Sequence, residues 1–138
     1  MSVKDCVFCK MVAGGIPVTK VFEDDVVLAF LDIGPLSDGH TLVVPRQHFE
    51  KLHECPFELL AQVGSRLGKI AGAVVAAMNC DGYNVLCNNG RAAGQVVDHL
   101  HFHIIPRNKG DGVFDRWPAY KYRQGLIETI AAKIRKKL

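Results

Sequence analysis

Three histidines, His99, His101 and His103, occupy every second position of the run Asp98-His99-Leu100-His101-Phe102-His103-Ile104-Ile105-Pro106-Arg107. Strict alternation of polar and apolar residues predicts a β-strand, and residues two apart on a strand share a face. The three imidazoles would form a row about 13 Å long at about 3.3 Å per residue. Leu100, Phe102 and Ile104 would line the opposite face and enter a core. Pro106 has no N–H to give a ladder, so the strand is expected to end near it. One imidazole of such a row can act as nucleophile or general base, a second as general acid or phosphate contact. A row of imidazoles can also hold a metal. The plainer alternative is a solvated polar face. Three neutral imidazoles are costly to bury without partners, and three cationic ones repel, so a functional row is the favoured reading.

A second grouping of chemical interest is Cys6-Val7-Phe8-Cys9. Cys-x-x-Cys is half of a zinc site or a redox pair. A redox pair wants a strand before it, and only five residues precede Cys6. A zinc site needs two further ligands, with His the expected type. Two small buried thiols with no chemistry are the alternative.

These residues need elements to place them. Lys10 to Gly14 reads as a short helix ending at Gly14-Gly15. Val18 to Phe22 and Val26 to Leu31 read as strands around the acidic turn Glu23-Asp24-Asp25. Residues 34–39 form a Gly/Pro loop, and His40 to Val44 a third strand stopped by Pro45. Leu60, Val63, Leu67, Ile70, Val74 and Met78 recur at steps of three and four, predicting an amphipathic helix that Pro56 can start. Its other positions are rich in Gly and Ala, which suggests close packing on a sheet or a second subunit. Gly82 is the expected left-handed cap. Tyr83 to Cys87 reads as a fourth strand, and residues 88–95 as a polar loop leading into the histidine run. Trp117-Pro118 suggests a lid or dimer contact. Tyr120 to Leu138 reads as a terminal helix with Leu126, Ile127, Ile130 and Ile134 inward, its basic end favourable to the helix dipole.

The run His99-Leu-His101-Phe-His103-Ile-Ile resembles the motif of the histidine triad (HIT) family. The resemblance extends over about residues 6–107 through Leu28-Ala-Phe-Leu-Asp32-Ile33, His40-x-Leu-Val-Val-Pro45-x-x-His48 and Gly94-Gln95. It implies an α+β fold: an antiparallel sheet of about five strands with packed helices, pairing into a homodimer. It implies a Hint-like or bacterial Hit-type nucleotide hydrolase or transferase acting at the α-phosphate. His101 would be the nucleophile, His103 the contact to the scissile phosphate and leaving group, and His99 the first triad member. Asp32 would bind the ribose hydroxyls, as a carboxylate can accept two hydrogen bonds from a diol. Phe22, Phe30 and Ile33 would cradle the base and His40 would support the triad. Asn88, Gly94, Gln95 and the residue at 96 would surround the phosphate. Val96 departs from the family, which carries a hydroxyl residue there in its best-known branches. Val cannot hold phosphate or leaving group by hydrogen bonding, which bears on substrate preference rather than on the chemistry. In some branches the first triad histidine is a zinc ligand, so the resemblance implies a structural zinc on Cys6, Cys9, His48 and His99. Purine nucleoside 5′-phosphoramidates such as adenosine phosphoramidate, cleaved to AMP, are the implied substrates. The alternatives are a dinucleoside polyphosphate hydrolase of the Fhit type, a non-catalytic nucleotide-binding scaffold and a hydrolase using the three histidines as zinc ligands.

Length and composition fit these readings. The 138 residues suit one domain, residues 1–138, with residues 108–138 as a C-terminal loop and helix, and 49% hydrophobic with 22% charged residues suits a real core. A net charge of +3 with no basic stripe argues against nucleic acid and fits a small anion. Five cysteines in no regular framework, with no leader or membrane-spanning run evident, lead to the expectation of a reduced cytoplasmic protein away from membranes.

Overall fold

The computed structural model describes residues 3–114 and 119–138. Trp117-Pro118 lies outside the described residues. Five strands, β1 (Lys20–Glu23), β2 (Val27–Leu31), β3 (Thr41–Pro45), β4 (Gly82–Leu86) and β5 (Phe102–Arg107), form one antiparallel sheet in the order β1-β2-β3-β5-β4. The helices are α1 (Val7–Val12), α2 (Phe57–Met78) and α3 (Leu126–Arg135). This is the expected α+β architecture.

Strand alternation divides the core into two layers. Val27 and Ala29 of β2, Val43 of β3 and Ile104 of β5 pack with Val63, Ile70, Ala71 and Val74 of α2. The intervening Leu28 and Phe30, with Leu42 and Val44, pack instead with Cys6 and Phe8 at α1. Both faces of β2 and β3 are therefore covered, which is why these strands read as nearly unbroken apolar runs. Each large aliphatic side chain so buried contributes about 1.5–3 kcal/mol. By length and composition alone α2 is apolar enough to cross a membrane, with a mean hydropathy of 1.2. Its inward stripe is spent on the sheet.

Several boundaries differ from the sequence expectation. The first helix begins at Val7 rather than Lys10, because Cys6 caps it: the Cys6 thiol accepts the N–H of Cys9 at 3.4 Å. Asn79, at φ 48°, takes the left-handed cap of α2, and Gly82 opens β4 instead. The end of β5 is as expected, one residue beyond Pro106. The histidine run is not one strand: β5 starts only at Phe102, and Leu100 donates its N–H to the Phe49 carbonyl at 2.6 Å. Gly125, at φ 76°, delays α3 to Leu126, and none of Leu126, Ile127, Ile130 and Ile134 is buried within the chain. Among the turn glycines whose surroundings are described, Gly39 is the one that packing demands. At φ +87° a Cβ there would lie 2.7 Å from the Met78 side chain.

Candidate active site and an adjoining Cys/His cluster

A cavity of about 440 Å³ opens on the α1 face of the sheet, within the size range of small-ligand sites. Strand pairing explains which residues reach it. His103 lies opposite Leu42 on β3, a residue of the α1 layer, so His103 faces the cavity while Phe102 and Ile104 face α2. His101 lines the cavity at 6% exposure. Asp32, at the exit of β2, lines it with Phe30 and Ile33, and Asn88, Gly94 and Val96 come from the loop before the triad.

Four expected site residues sit elsewhere. Phe22 lies opposite Ala29, which faces α2, so its ring packs in the α2 layer beneath Lys69. Gln95 is buried and braces the loop: it accepts the Gly90 N–H at 2.7 Å and donates to the Glu50 and Val97 carbonyls at 2.8 and 3.1 Å. His40 is buried behind His103, and His99 faces the cysteines. Sequence reasoning missed Phe8, Met11, Val18, Leu42 and Val97 as cavity residues. Phe8 had a signal, an aromatic held between Cys6 and Cys9. Its ring stands edge-on to His101, centroids 5.1 Å apart, and to Phe30 at 5.7 Å.

Hydrogen-bond partners fix the tautomers of the histidines. His101 Nδ1 lies 2.6 Å from the His99 carbonyl, which can only accept, so Nδ1 carries the hydrogen and Nε2 the lone pair. That Nε2 has no hydrogen-bond partner among the described residues, and no unpartnered side-chain nitrogen there is fully buried, so it reaches open space. His40 Nδ1 accepts the Leu36 N–H at 3.1 Å, so its Nε2–H donates to His103 Nδ1 at 2.8 Å. His103 is left with an Nε2–H. Bare nitrogen and N–H donor thus stand side by side, ring centroids 5.0 Å apart. Burial, resisted by the His99 carbonyl and Asp32, lowers the His101 pKa. Burial, then His101 and His40, lowers His103 to about 4 against the pull of Asp32. Burial likewise lowers His40. The group is neutral at physiological pH.

Beside it, Cys6, Cys9, His48 and His99 bring four ligand atoms together, all within 4.8 Å of one another. His99 donates Nε2–H to the Pro45 carbonyl at 2.9 Å, which turns the lone pair of Nδ1 toward the cluster. That Nδ1 lies 3.4 Å from Cys6 Sγ, 3.5 Å from Cys9 Sγ and 3.2 Å from His48 Nδ1. His48 Nδ1 is 3.3 Å from Cys9 Sγ. Tetrahedral zinc with its usual bond lengths spaces two nitrogens about 3.3 Å apart and a nitrogen and a sulfur about 3.5 Å apart. Burial, reinforced by Cys6, pushes the Cys9 thiol up to about 11; a divalent cation inverts that balance.

A profile of the HIT domain matches residues 13–110. The chain belongs to the HIT family. Among HIT relatives, adenosine 5′-monophosphoramidase of Schizosaccharomyces pombe is 43% identical over 134 residues, covering 96% of this chain and 98% of that protein. An adenylylsulfatase of Arabidopsis thaliana is 48% identical over 107 residues, 78% of this chain and 54% of that protein. The crystal structure of a HIT family member from Bacillus subtilis superposes with a TM-score of 0.90 at 42% identity, covering 97% of each chain. A Zn-bound histidine triad family protein from Mycobacterium smegmatis gives 0.76 at 35% identity, covering 99% of this chain and 100% of that one.

Proposed function

We propose that this HIT protein hydrolyses purine nucleoside 5′-phosphoramidates, adenosine phosphoramidates foremost, through a nucleotidyl-histidine intermediate. The observation that carries the reading is the unpartnered Nε2 of His101 beside the Nε2–H of His103 in one cavity. A neutral imidazole with a free lone pair is a competent nucleophile toward phosphorus. Attack forms the N–P bond and breaks the bond to the leaving amine. Water then cleaves the N–P bond, its oxygen staying with the nucleoside monophosphate. The leaving nitrogen takes up one proton from solvent as its bond to phosphorus breaks, and the water of the second step returns one, so that one water is consumed overall. His103, held neutral, donates to a phosphoryl oxygen and stabilises developing charge without repelling a cation. Asp32 keeps one carboxylate oxygen on the Gly34 N–H at 2.8 Å and can offer the other to the ribose diol. Phe8, Phe30 and Ile33 supply an apolar wall for the base. Names of relatives support the reaction class, since one is a phosphoramidase and another an adenylylsulfatase.

The Cys/His cluster fits zinc, by donor set and by spacing. Cys6, Cys9, His48 and His99 would fill all four tetrahedral positions, so the metal would act structurally, tying α1 to the triad. A homodimer is proposed on two features of one chain. β4 is an edge strand with Tyr83 and Val85 exposed. On α2, Gly64, Gly68 and Gly72 recur every fourth residue, and a Cβ at each would meet nothing within 4 Å, leaving room for close approach of a second helix. All five cysteines are free, which suits a reducing cytoplasm.

The test is intact-protein mass spectrometry after a rapid, acid-free quench with an adenosine phosphoramidate. Wild type should show an adenylyl adduct or release AMP, and His101→Ala neither. Tight nucleotide binding without adduct or turnover in wild type would refute the reading.

A further inference from the structure

We infer that Cys6 and Cys9 are an oxidisable pair, which a peroxide joins in a disulfide with release of the metal; the release rests on the zinc reading of the Cys/His cluster. The two sulfurs stand among four donor atoms that all lie within 4.8 Å of one another. The Cys6 thiol accepts the Cys9 N–H at 3.4 Å across a single turn. Side-chain rotation and a small adjustment of that turn can close such a gap to a bond of about 2 Å. The two thiols also differ in access. Cys9 is half-buried and can meet a small solute, whereas Cys6 is fully buried beside it and can act only on Cys9. Among the described residues no other two cysteines share a cluster of this kind.

Oxidation runs in two steps. The Cys9 sulfur attacks one peroxide oxygen, the O–O bond breaks, and water leaves a sulfenic acid on Cys9. The Cys6 sulfur then attacks the Cys9 sulfur, the S–S bond forms, the S–O bond breaks, and a second water leaves. Two thiols and one peroxide give one disulfide and two waters, the sulfurs losing the two electrons that the peroxide gains. Where a metal holds the sulfurs as thiolates, solvent supplies the two protons. The product offers a metal two imidazoles and no thiolate, half of the four ligands that a structural zinc needs. His99 Nδ1, 3.4 Å from Cys6 Sγ and 3.5 Å from Cys9 Sγ, loses both thiol partners, and the His99 carbonyl is the group that holds His101. Closing the pair therefore undoes the tie between α1 and the triad.

The experiment treats the zinc-loaded full chain with hydrogen peroxide. A chromogenic chelator reads released zinc, and mass spectrometry after alkylation and trypsin follows the peptide from Asp5 to Lys10, which holds Cys6 and Cys9 and no other cysteine. That peptide should lose two hydrogens and resist alkylation in the same proportion of chains that give up their zinc. A thiol reductant with added zinc should reverse both changes. The triple variant Cys55→Ser/Cys80→Ser/Cys87→Ser, with only the pair left, should respond as wild type does. Zinc retained while other cysteines oxidise, zinc lost with both thiols of the peptide intact or carried to sulfinic acid, or a triple variant that no longer responds would overturn the inference while the zinc reading stands. A chain that neither carries zinc nor takes it up would overturn both.

Discussion

Acid sensitivity is where the electrostatics of this site depart furthest from ordinary histidine behaviour. An imidazole at the ordinary value of 6.5 is protonated about ten to one at pH 5.5, whereas one at the His103 value of about 4 is protonated only about one to thirty. His101 is also shifted below 6.5, by burial, against the His99 carbonyl and Asp32. On the proposed mechanism, protonating His101 removes the attacking lone pair, and protonating His103 replaces a neutral donor by a cation beside it. The acid limb of kcat/KM is therefore expected below 6.5, set by whichever protonates first. At pH 5.5 the enzyme should therefore retain more than the roughly one tenth that imidazoles at the ordinary value of 6.5 would leave. The assay is a kcat/KM profile from pH 4 to 8 on an adenosine phosphoramidate, corrected for acid hydrolysis of the substrate. Stability should follow in the same direction. The unfolded chain takes up protons at these histidines near 6.5 and the folded chain does not until lower pH. The contribution of His103 is thus complete above 6.5 and is lost as pH falls toward 4. A limb centred at 6.5 would show that burial does not hold these imidazoles neutral and would refute the reasoning.

Other outcomes follow from the same geometry. Asp32→Asn should raise KM for a nucleotide about tenfold to a hundredfold with little change in kcat, since a hydrogen bond to a charged group contributes about 1.5–3 kcal/mol; steady-state kinetics decide, and an unchanged KM would remove Asp32 from the ribose. Cys9→Ala, or prolonged chelation, should release one zinc per chain by elemental analysis and lower Tm, with activity falling in step with folding. Immediate loss of activity at an unchanged Tm would point to a catalytic metal. Ile104→Ala, at a fully buried position between the sheet and α2, should cost about 2–5 kcal/mol in a denaturant titration. A cost within 0.5 kcal/mol would contradict the packing. Gly68→Leu should turn a dimer into a monomer by sedimentation, and a dimer that survives it would clear α2 from the interface.

The sheet strands and α2 were legible because their signals are local: β-branched runs between turn residues, and apolar steps of three and four. The triad was legible because three histidines in seven residues is a rare pattern. Boundaries were less so. The start of α1 depends on a thiol accepting one N–H, and the cap of α2 on Asn79 adopting a positive φ. Phe22 was assigned to the nucleotide by the family resemblance, and Leu126, Ile127, Ile130 and Ile134 of α3 were expected inward from their periodicity. That periodicity marks an apolar stripe, and the described residues of a single chain leave the stripe unburied.

By itself, then, the sequence determined which chemistry this protein carries: alternating imidazoles, a thiol pair and the strands to hold them. The tertiary structure decided which face each side chain meets. Register with Ala29 sent Phe22 to α2, and register with Leu42 sent His103 to the cavity. The bend before Phe102 let His99 leave the row for the cysteines, while Pro45, His99 and Leu36 backbone groups chose which nitrogen of each imidazole is bare. Those choices depend on atoms as many as 93 residues apart in the chain, and no local pattern of residue types encodes them.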